Sequence, residues 1–533
     1  MRKITIRRLT AIALAAWLVH AEAETSFQLL EADVASIHAA YRAGTLSAER
    51  LTRQYLDRIA GYDRAGPRLN SVITVNPDAL ERARTLDEER ARHGIRGALH
   101  GIPIVIKDNY DTFDLPTTGG SAVLLEHRPE RDAFTVERLR AAGAIVLGKT
   151  NLSELALSYG RLGYSSAGGL TLNPYNPRRN ASGSSSGTGA AVAANLAVFG
   201  TGTDTAGSIR APAAVTANVG IKPTLGLTSR SGVIPASLSL DVTGPIARNV
   251  RDAALALNVM SAPDASDYRT ASAEPTRVDD YLEYLDAEAL QNKRLGVVTN
   301  YSGGNAEVDA AFRRALELLR QQGVTTVDVE VPELIENAWS TMMGPVAANE
   351  FRGQIEAYFR KSNAPVKSLD DLIESSLAPE IVESGQPVNP ARIDGYREAA
   401  ESLGVADVEY LTILSERIPR ARAIVIALME DEDLDALVFP TMLCPASPRF
   451  DRDDDTYECS APDPYIPSYM GSSTGFPEIT VPMGTTRHGL PLGISFFATA
   501  FQEPVLIGMA YAYEQLTHWR EPPSGTSRPL PGQ

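Results

Sequence analysis

The chain reads as an α/β protein built on a sheet covered by helices on both faces. Three observations point there. Short continuous apolar runs at 102–106 and 144–147 read as strands buried on both sides, because a half-exposed strand would alternate instead. Segments with helical spacing lie between and before these runs, and alternating strands and helices build a covered sheet. The 533 residues, 44% of them hydrophobic, can bury one large core or two, which excludes a disordered chain.

Taken in order, the chain opens with Arg2, Lys3, Arg7 and Arg8, an apolar run at 9–19 and the triplet Ala21-Glu22-Ala23. That is the charged, apolar and small-residue order of a secretory signal, with cleavage expected before Glu24. The run is shorter than the ~20 residues of a spanning helix, and no later stretch is apolar enough to cross a bilayer. A periplasmic or secreted protein without stable membrane insertion is expected, exported by the general or the twin-arginine route. Val34, Ile37 and Tyr41 then recur at helical spacing up to Gly44, and Ser47 caps a second helix carrying Leu51, Leu56 and Ile59. Residues 71–75 read as a strand, and Asn76-Pro77 starts a charged helix ending at Gly94. The strand at 102–106, a helix at 133–142 and the strand at 144–147 continue the alternation.

A polar, acidic stretch at 261–286 reads as a linker or an excursion inside the domain. Beyond it a strand at 295–299 precedes a helix with Val308, Phe312, Leu316 and Leu319 on one face. Residues 340–430 look helical, a Pro-rich segment spans 440–467, and strands are expected at 478–482 and 492–497. Asp451, Asp453, Asp454 and Asp455 lack the glycine turn and terminal glutamate of a calcium loop, so a solvated acidic loop and no metal are expected. Cys444 and Cys459 either pair across 15 residues, stabilising by roughly 3 kcal/mol through chain entropy, or stay as two buried thiols.

A formal charge of -16 leaves no general basic face for phosphates, so nucleic acid is not an expected partner. The sequence sets no oligomeric state.

The chemistry concentrates in two places. Lysine is scarce, yet Lys107 and Lys149 both close probable buried strands, where open α/β sheets place ligands. Burial there lowers a lysine's pKa toward a range in which the amine acts as a base, and composition does not choose between the two. The other place is the run NASGSSSGTGAAVAANLAVFGTGTDTAGSIR at 180–210. Two Gly/Ser loops would suit a linker, but the apolar stretch 190–199 between them reads as a helix-like core element, and the loop 203–209 offers successive N–H donors. Donors ending in a hydroxyl suit acyl transfer, which makes Ser208 the candidate nucleophile. No lysine follows Gly189, so the phosphate-binding loop pattern fails. Gly183-Ser184-Ser185-Ser186-Gly187 also satisfies G-x-S-x-G, which would make Ser185 the nucleophile with His488 or His518 downstream, although a polar segment, not a strand, precedes it.

GIPIVIKDN around Lys107, GKTNLSE from Gly148, SGSSSGTGAA around Ser184, GTDTAGSIR around Ser208 and GIKPTLGL from Gly220 together resemble the amidase signature family. The resemblance extends to TGFPEITVPMG and GLPLGIS near the C-terminus, is strongest to bacterial peptide amidases, and weakens at about 330–470. It implies one large domain over 24–533 with a central mixed, twisted sheet, the diverged helical region lying on the substrate side. It further implies an amide hydrolase needing no cofactor, with Ser208 as nucleophile, Ser184 as a bridging serine behind a cis peptide bond, and Lys107 as base. The family's oxyanion hole maps to Thr205, Ala206, Gly207 and Ser208, with Ala206 standing where many members have glycine and so expected to narrow the turn. Ala156, Leu157, Ser158 and Tyr159 map near the acyl pocket. The implied partner is a small-molecule or peptide amide. The amidotransferase component that works on charged tRNA shares the resemblance, but the export signal and acidic chain argue against a tRNA partner. A non-catalytic periplasmic binding protein on the same fold is the reading from a different class.

Overall fold

The computed structural model describes residues 27–528, so the signal-like segment 1–23 lies outside the described residues. Thirteen strands are formed among them: β1 (Val72–Val75), β2 (Pro103–Lys107), β3 (Ile145–Thr150), β4 (Tyr164–Ser165), β5 (Gly169–Leu170), β6 (Phe199–Asp204), β7 (Val219–Lys222), β8 (Val242–Ala247), β9 (Arg294–Val298), β10 (Thr325–Val329), β11 (Ala436–Pro440), β12 (Glu478–Thr485) and β13 (Pro491–Phe497). Eleven of them make one sheet in the order β1-β3-β2-β6-β8-β7-β12-β13-β11-β9-β10, and β4 and β5 pair apart from it. The sheet is mixed: β2 runs parallel to β3 and β6, and β9 to β10 and β11, while β6, β8, β7, β12 and β13 are successively antiparallel. Every residue of β2, β3, β6, β7, β8, β11 and β13 is buried, as expected of strands lying under helices on both faces. Ile104, Val105 and Ile106 are each fully buried, worth roughly 1.5–3 kcal/mol apiece relative to exposure.

The apolar stretch at 190–199 is not one helix. The Ser186–Ala193 helix stops there, and Phe199 already belongs to β6. Asn195 causes the break: it adopts φ 56° and its side chain is spent on Glu31, accepting from the Glu31 N–H at 2.7 Å and donating to its carboxylate at 2.7 Å. Thr203 and Asp204, expected in the following loop, instead end β6 opposite Thr243 and Val242. The acidic stretch 261–286 is an excursion rather than a linker, with short helical turns at Tyr268–Ala273 and Tyr281–Tyr284. Arg230 pins it through Asp267, Nε to Oδ2 at 2.8 Å. In the acidic loop Asp454 is buried, not solvated, and pairs with the buried Arg179 at 2.8 Å.

Between 333 and 431 the chain is helical, chiefly Gly344–Lys361, Leu369–Ser376, Pro390–Glu401 and Ile418–Asp431. Phe351, Ile355 and Tyr396 from these helices form a second apolar cluster with Leu124, Leu155 and Ile234 of the main body, which seats the helical region beside the loop that follows β3. Cys444 and Cys459 are joined by a disulfide, Cα–Cα 5.6 Å. Among the described residues no helix is long and apolar enough to cross a membrane.

Candidate active site

Strand β2 carries Lys107 into the interior at its C-terminal end, where the side chain is fully buried. Burial disfavours the ammonium and draws its pKa down to about 7, although Asp204 and Asp241 pull the other way. Its Nζ lies 2.8 Å from Ser184 Oγ and 2.7 Å from Thr203 Oγ1, and Asn109 Nδ2 donates to the same threonine hydroxyl at 3.1 Å. Three lysines are buried at strand ends, and their partners separate them. Lys149 faces the Asp108 carboxylate at 3.1 Å and also donates to Thr117 Oγ1 and Pro116 O, at 2.9 and 3.0 Å. Among the described residues Lys222 donates only to the carbonyls of Phe476 and Pro223, at 2.8 and 3.3 Å. Lys107 meets hydroxyls with no carboxylate in contact, and a hydroxyl can pass a proton onward.

The Gly183–Ser184 peptide bond is cis. The glycine before it is required by space, since a Cβ on Gly183 would sit 2.5 Å from Ser153 Oγ. Ser182 adopts φ 61°, with its N–H donated to Asn180 Oδ1 at 2.8 Å and its hydroxyl 2.5 Å from Tyr465 Oη. The Ser184 carbonyl accepts the Ser153 N–H at 3.1 Å. The loop is thus held from two distant parts of the chain, Ser153 and Tyr465, and Ser184 is 1% exposed.

Ser185 does not sit as an exposed elbow. It is fully buried, its hydroxyl donates to the Thr203 carbonyl at 3.3 Å, and no strand leads into it. His488 is exposed and accepts from Arg487 Nε, while His518 lines a separate cleft with Glu31 and Trp519. The structure brings neither histidine to Ser185.

Ser208 ends the turn that follows β6 and is 8% exposed. Asp204 organises that turn: Oδ1 accepts from Gly207 N–H at 2.8 Å and Oδ2 from Ile209 N–H at 2.9 Å. Burial alone would raise the Asp204 carboxyl, but Arg210 overrides it and holds it below the ordinary carboxylate range. Arg210 is fully buried and spends all its donors, on Asp204 at 2.8 and 3.0 Å, Ser468 O at 2.8 Å, Ser472 Oγ at 2.7 Å and the Glu478 carboxylate. Gly207 takes φ 101°, a left-handed conformation suited to glycine, and a Cβ there would lie 2.8 Å from Ser468 Oγ. Of the four amides expected to form the oxyanion hole, the Gly207 N–H is committed to Asp204. The N–H groups of Thr205, Ala206 and Ser208 make no hydrogen bond among the described residues. Thr205 is itself anchored, its hydroxyl donating to Asp241 Oδ1 at 2.5 Å. Asp241 also accepts the Ala236 and Ser237 N–H groups, each at 2.9 Å, and burial raises its carboxyl to about 6.

Ser208, Ala206 and Gly183 open onto a cavity of about 1150 Å³. Ala156, Leu157, Ser158 and Tyr159 all line it, and the helices Gly344–Lys361 and Pro390–Glu401 supply most of the far wall. Leu155, Ala156 and Tyr159 have positive φ, 46°, 62° and 42°, so the strip bends sharply where the short helical turn Glu154–Ala156 ends. Asn389 holds it from the helical side, donating to the carbonyls of Ser158 and Tyr159 at 3.1 and 2.9 Å. Thr203, Asn109, Asp204, Asp241 and Tyr465 are site residues that sequence reasoning did not single out. Asp204 and Arg210 stand inside the GTDTAGSIR motif and could have been found there, as the charged pair flanking an otherwise uncharged turn.

A buried amine near neutrality, a hydroxyl beside it, and a second serine on a turn with unspent amides can carry acyl transfer without a metal or an organic group. The model of the amidase family matches residues 50–507. Peptide amidase from Stenotrophomonas maltophilia superposes with a TM-score of 0.84 at 40% identity, covering 93% of this chain and 99% of that one. A peptide amidase in complex with the competitive inhibitor chymostatin gives 0.83 at 41% identity, over 92% and 99% of the two chains. A probable amidase of Arabidopsis thaliana is 35% identical over 94% of this chain and 92% of its own. With a family match over most of its length and this geometry, the chain belongs to the amidase family and is a hydrolase of amide C–N bonds.

Proposed function

We propose that the protein is an exported amidase that cleaves the carboxamide of a peptide C-terminal amide, an aryl or alkyl amide or a carbamate through an acyl-enzyme on Ser208. The observation that carries this is Lys107 Nζ at 2.8 Å from Ser184 Oγ, buried and held near neutrality, behind a cavity that Ser208 lines. The neutral Lys107 amine accepts the proton of the Ser184 hydroxyl, and Ser184 takes that of Ser208 as its oxygen attacks the substrate carbonyl. The N–H groups of Thr205, Ala206 and Ser208 stabilise the oxyanion that forms. Collapse breaks the C–N bond, with the proton returned through Ser184 to the leaving amine. Water then attacks the ester, its proton taken over the same relay, and the acid leaves with Ser208 restored. The two peptide amidase structures that superpose on this chain favour a peptidyl substrate.

Fluorophosphonate labelling followed by peptide mass analysis tests the assignment. Label on Ser208 is expected, lost in Ser208→Ala and kept in Ser185→Ala, which should hydrolyse amides within about threefold of the native rate. Label on Ser185 would establish the elbow reading instead, and no label at all would favour a non-catalytic binder. Export rests on the charge and apolar pattern of 1–23 and agrees with the Cys444–Cys459 disulfide, a bond that persists in oxidising compartments. Recovered from outside the cytoplasm, the native protein should begin at Glu24. A protein found in the cytoplasm with Met1 intact would refute export.

A further inference from the structure

Arg392 stands out on the wall of the Ser208 cavity. It is 1% exposed, and its guanidinium lies over the rings of Tyr396, Phe351 and Tyr159 at 4.4, 4.9 and 5.2 Å. Glu154 feels its charge and the Tyr396 hydroxyl lies within its reach, yet no carboxylate oxygen comes within ion-pair distance among the described residues. Its Nη2 reaches the Leu155 carbonyl only at 3.5 Å, and its Nε has no hydrogen-bond partner among the described residues. Arg210, equally buried, spends every donor. A buried guanidinium with donors unspent is costly unless something else takes them, and the cavity is where that acceptor can come from.

Position narrows the acceptor. Arg392 sits in the first turn of the Pro390–Glu401 helix, whose cap Asn389 clamps Ser158 and Tyr159, so it belongs to the end of the helix nearest the acyl strip. Glu398 and Glu401 follow on the same helix and also line the cavity, about 9 and 14 Å further along by helical rise. Asp394, the nearest carboxylate in sequence, is taken by Arg397 at 3.1 Å. An anionic substrate would have to pass those outer carboxylates, whereas a neutral carbonyl would not.

We propose that Arg392 recognises the acyl part of the substrate by donating to a main-chain carbonyl oxygen beyond the scissile carbonyl, which makes peptidyl amides the preferred class. This rests on the amidase reading above and specifies its substrate. The aromatic rings pack around the guanidinium, so the acceptor would be met by an N–H not turned toward them.

The test compares propionamide, the blocked dipeptide amide Ac-Ala-Ala-NH2 and the carboxylate-bearing glutaramate, in the native enzyme, Arg392→Met and Arg392→Lys. A hydrogen bond to a charged group corresponds to about tenfold or more in kcat/KM. Native enzyme should favour Ac-Ala-Ala-NH2 over propionamide by at least about that factor. The ratio should fall toward one in Arg392→Met, chiefly through a raised KM, and recover in part in Arg392→Lys, which keeps the cation but not the fork. Proportional losses on both substrates in Arg392→Met, or an unchanged ratio, would overturn the proposal, and thermal unfolding of each variant separates such losses from misfolding. A native preference for glutaramate that Arg392→Met abolishes would overturn the carbonyl assignment in favour of a carboxylate. Native enzyme that labels on Ser208 yet hydrolyses propionamide and Ac-Ala-Ala-NH2 equally sinks the inference and leaves the amidase reading standing; enzyme that neither labels nor hydrolyses any of the three sinks both.

Discussion

Ser208→Ala is expected to lower kcat on amide substrates by on the order of 10⁴- to 10⁶-fold, the largest loss that any single substitution in this chain should produce. The reason lies in what the hydroxyl alone supplies. Every other feature of the site survives its removal: Lys107 and Ser184 keep their 2.8 Å contact, Asp204 keeps its hold on Gly207 and Ile209, and the cavity keeps its walls. On the proposed mechanism what disappears is the covalent intermediate, leaving only the amides of Thr205, Ala206 and residue 208 to polarise a carbonyl toward water, so a residual rate above the uncatalysed one should remain. The contact by which Ser208 supports the fold is through its backbone, the carbonyl accepting Ser185 N–H at 3.3 Å, and alanine retains it. Thermal unfolding should therefore be nearly unmoved, within about 0.5 kcal/mol, while burst-phase release of amine vanishes. A variant that keeps more than about one per cent of native kcat would remove Ser208 from the mechanism, because a bystander hydroxyl costs far less than this.

How much of this was legible beforehand follows from how local each feature is. The strands at 102–106 and 144–147 announce themselves, since a strand buried on both faces reads as a continuous apolar run. Strand β8 does not: VTGPIA carries Gly244 and Pro245 in the middle of the sheet, where composition argues against a strand. Its glycine is there because a Cβ would lie 2.3 Å from the Ile221 carbonyl, a fact about the neighbouring strand. The same limit applies to the site. Motifs point to Ser184, Ser208 and Lys107, but residues that hold the surrounding loops come from afar. Tyr465 reaches Ser182 across 283 positions, and Glu478 reaches Arg210 across 268. Gly207 looked like one of four equivalent donors, and only the Asp204 carboxylate folded back beneath it shows that its N–H is spent. Lys107 and Lys149 could not be told apart by strand context, because both are buried at strand ends. The Asp108 carboxylate, present beside one and absent beside the other, separates them.

Lys107→Met is expected to reduce kcat/KM at least about 10³-fold, and the native enzyme should lose activity as pH falls through about 7. The sign follows from the role. In the proposed mechanism Lys107 works as the neutral amine, and burial brings the pKa of its conjugate acid down to about 7, so protonation below that pH fills the lone pair that Ser184 needs. Activity should therefore rise through neutrality and level off above it, the reverse of a site that needs a protonated lysine. Methionine keeps the length and apolar character of the stem in a fully buried position, so the loss reads the amine and not a cavity. Two other buried groups titrate nearby, Lys222 at about 7 and Asp241 at about 6, and each could imitate the limb. Among the described residues Lys222 hydrogen-bonds only carbonyls and meets no hydroxyl through which to reach Ser208. Asp241 makes a sharper test: its negative charge raises the Lys107 pKa, so Asp241→Asn should move the acidic limb to lower pH while keeping an acceptor for the Thr205 hydroxyl. Were Asp241 itself the titrating group, the same substitution would abolish the limb. A pH profile of kcat/KM for the native enzyme and Asp241→Asn distinguishes the two, and a limb that moves to higher pH would contradict the electrostatics by which Lys107 is assigned as the base.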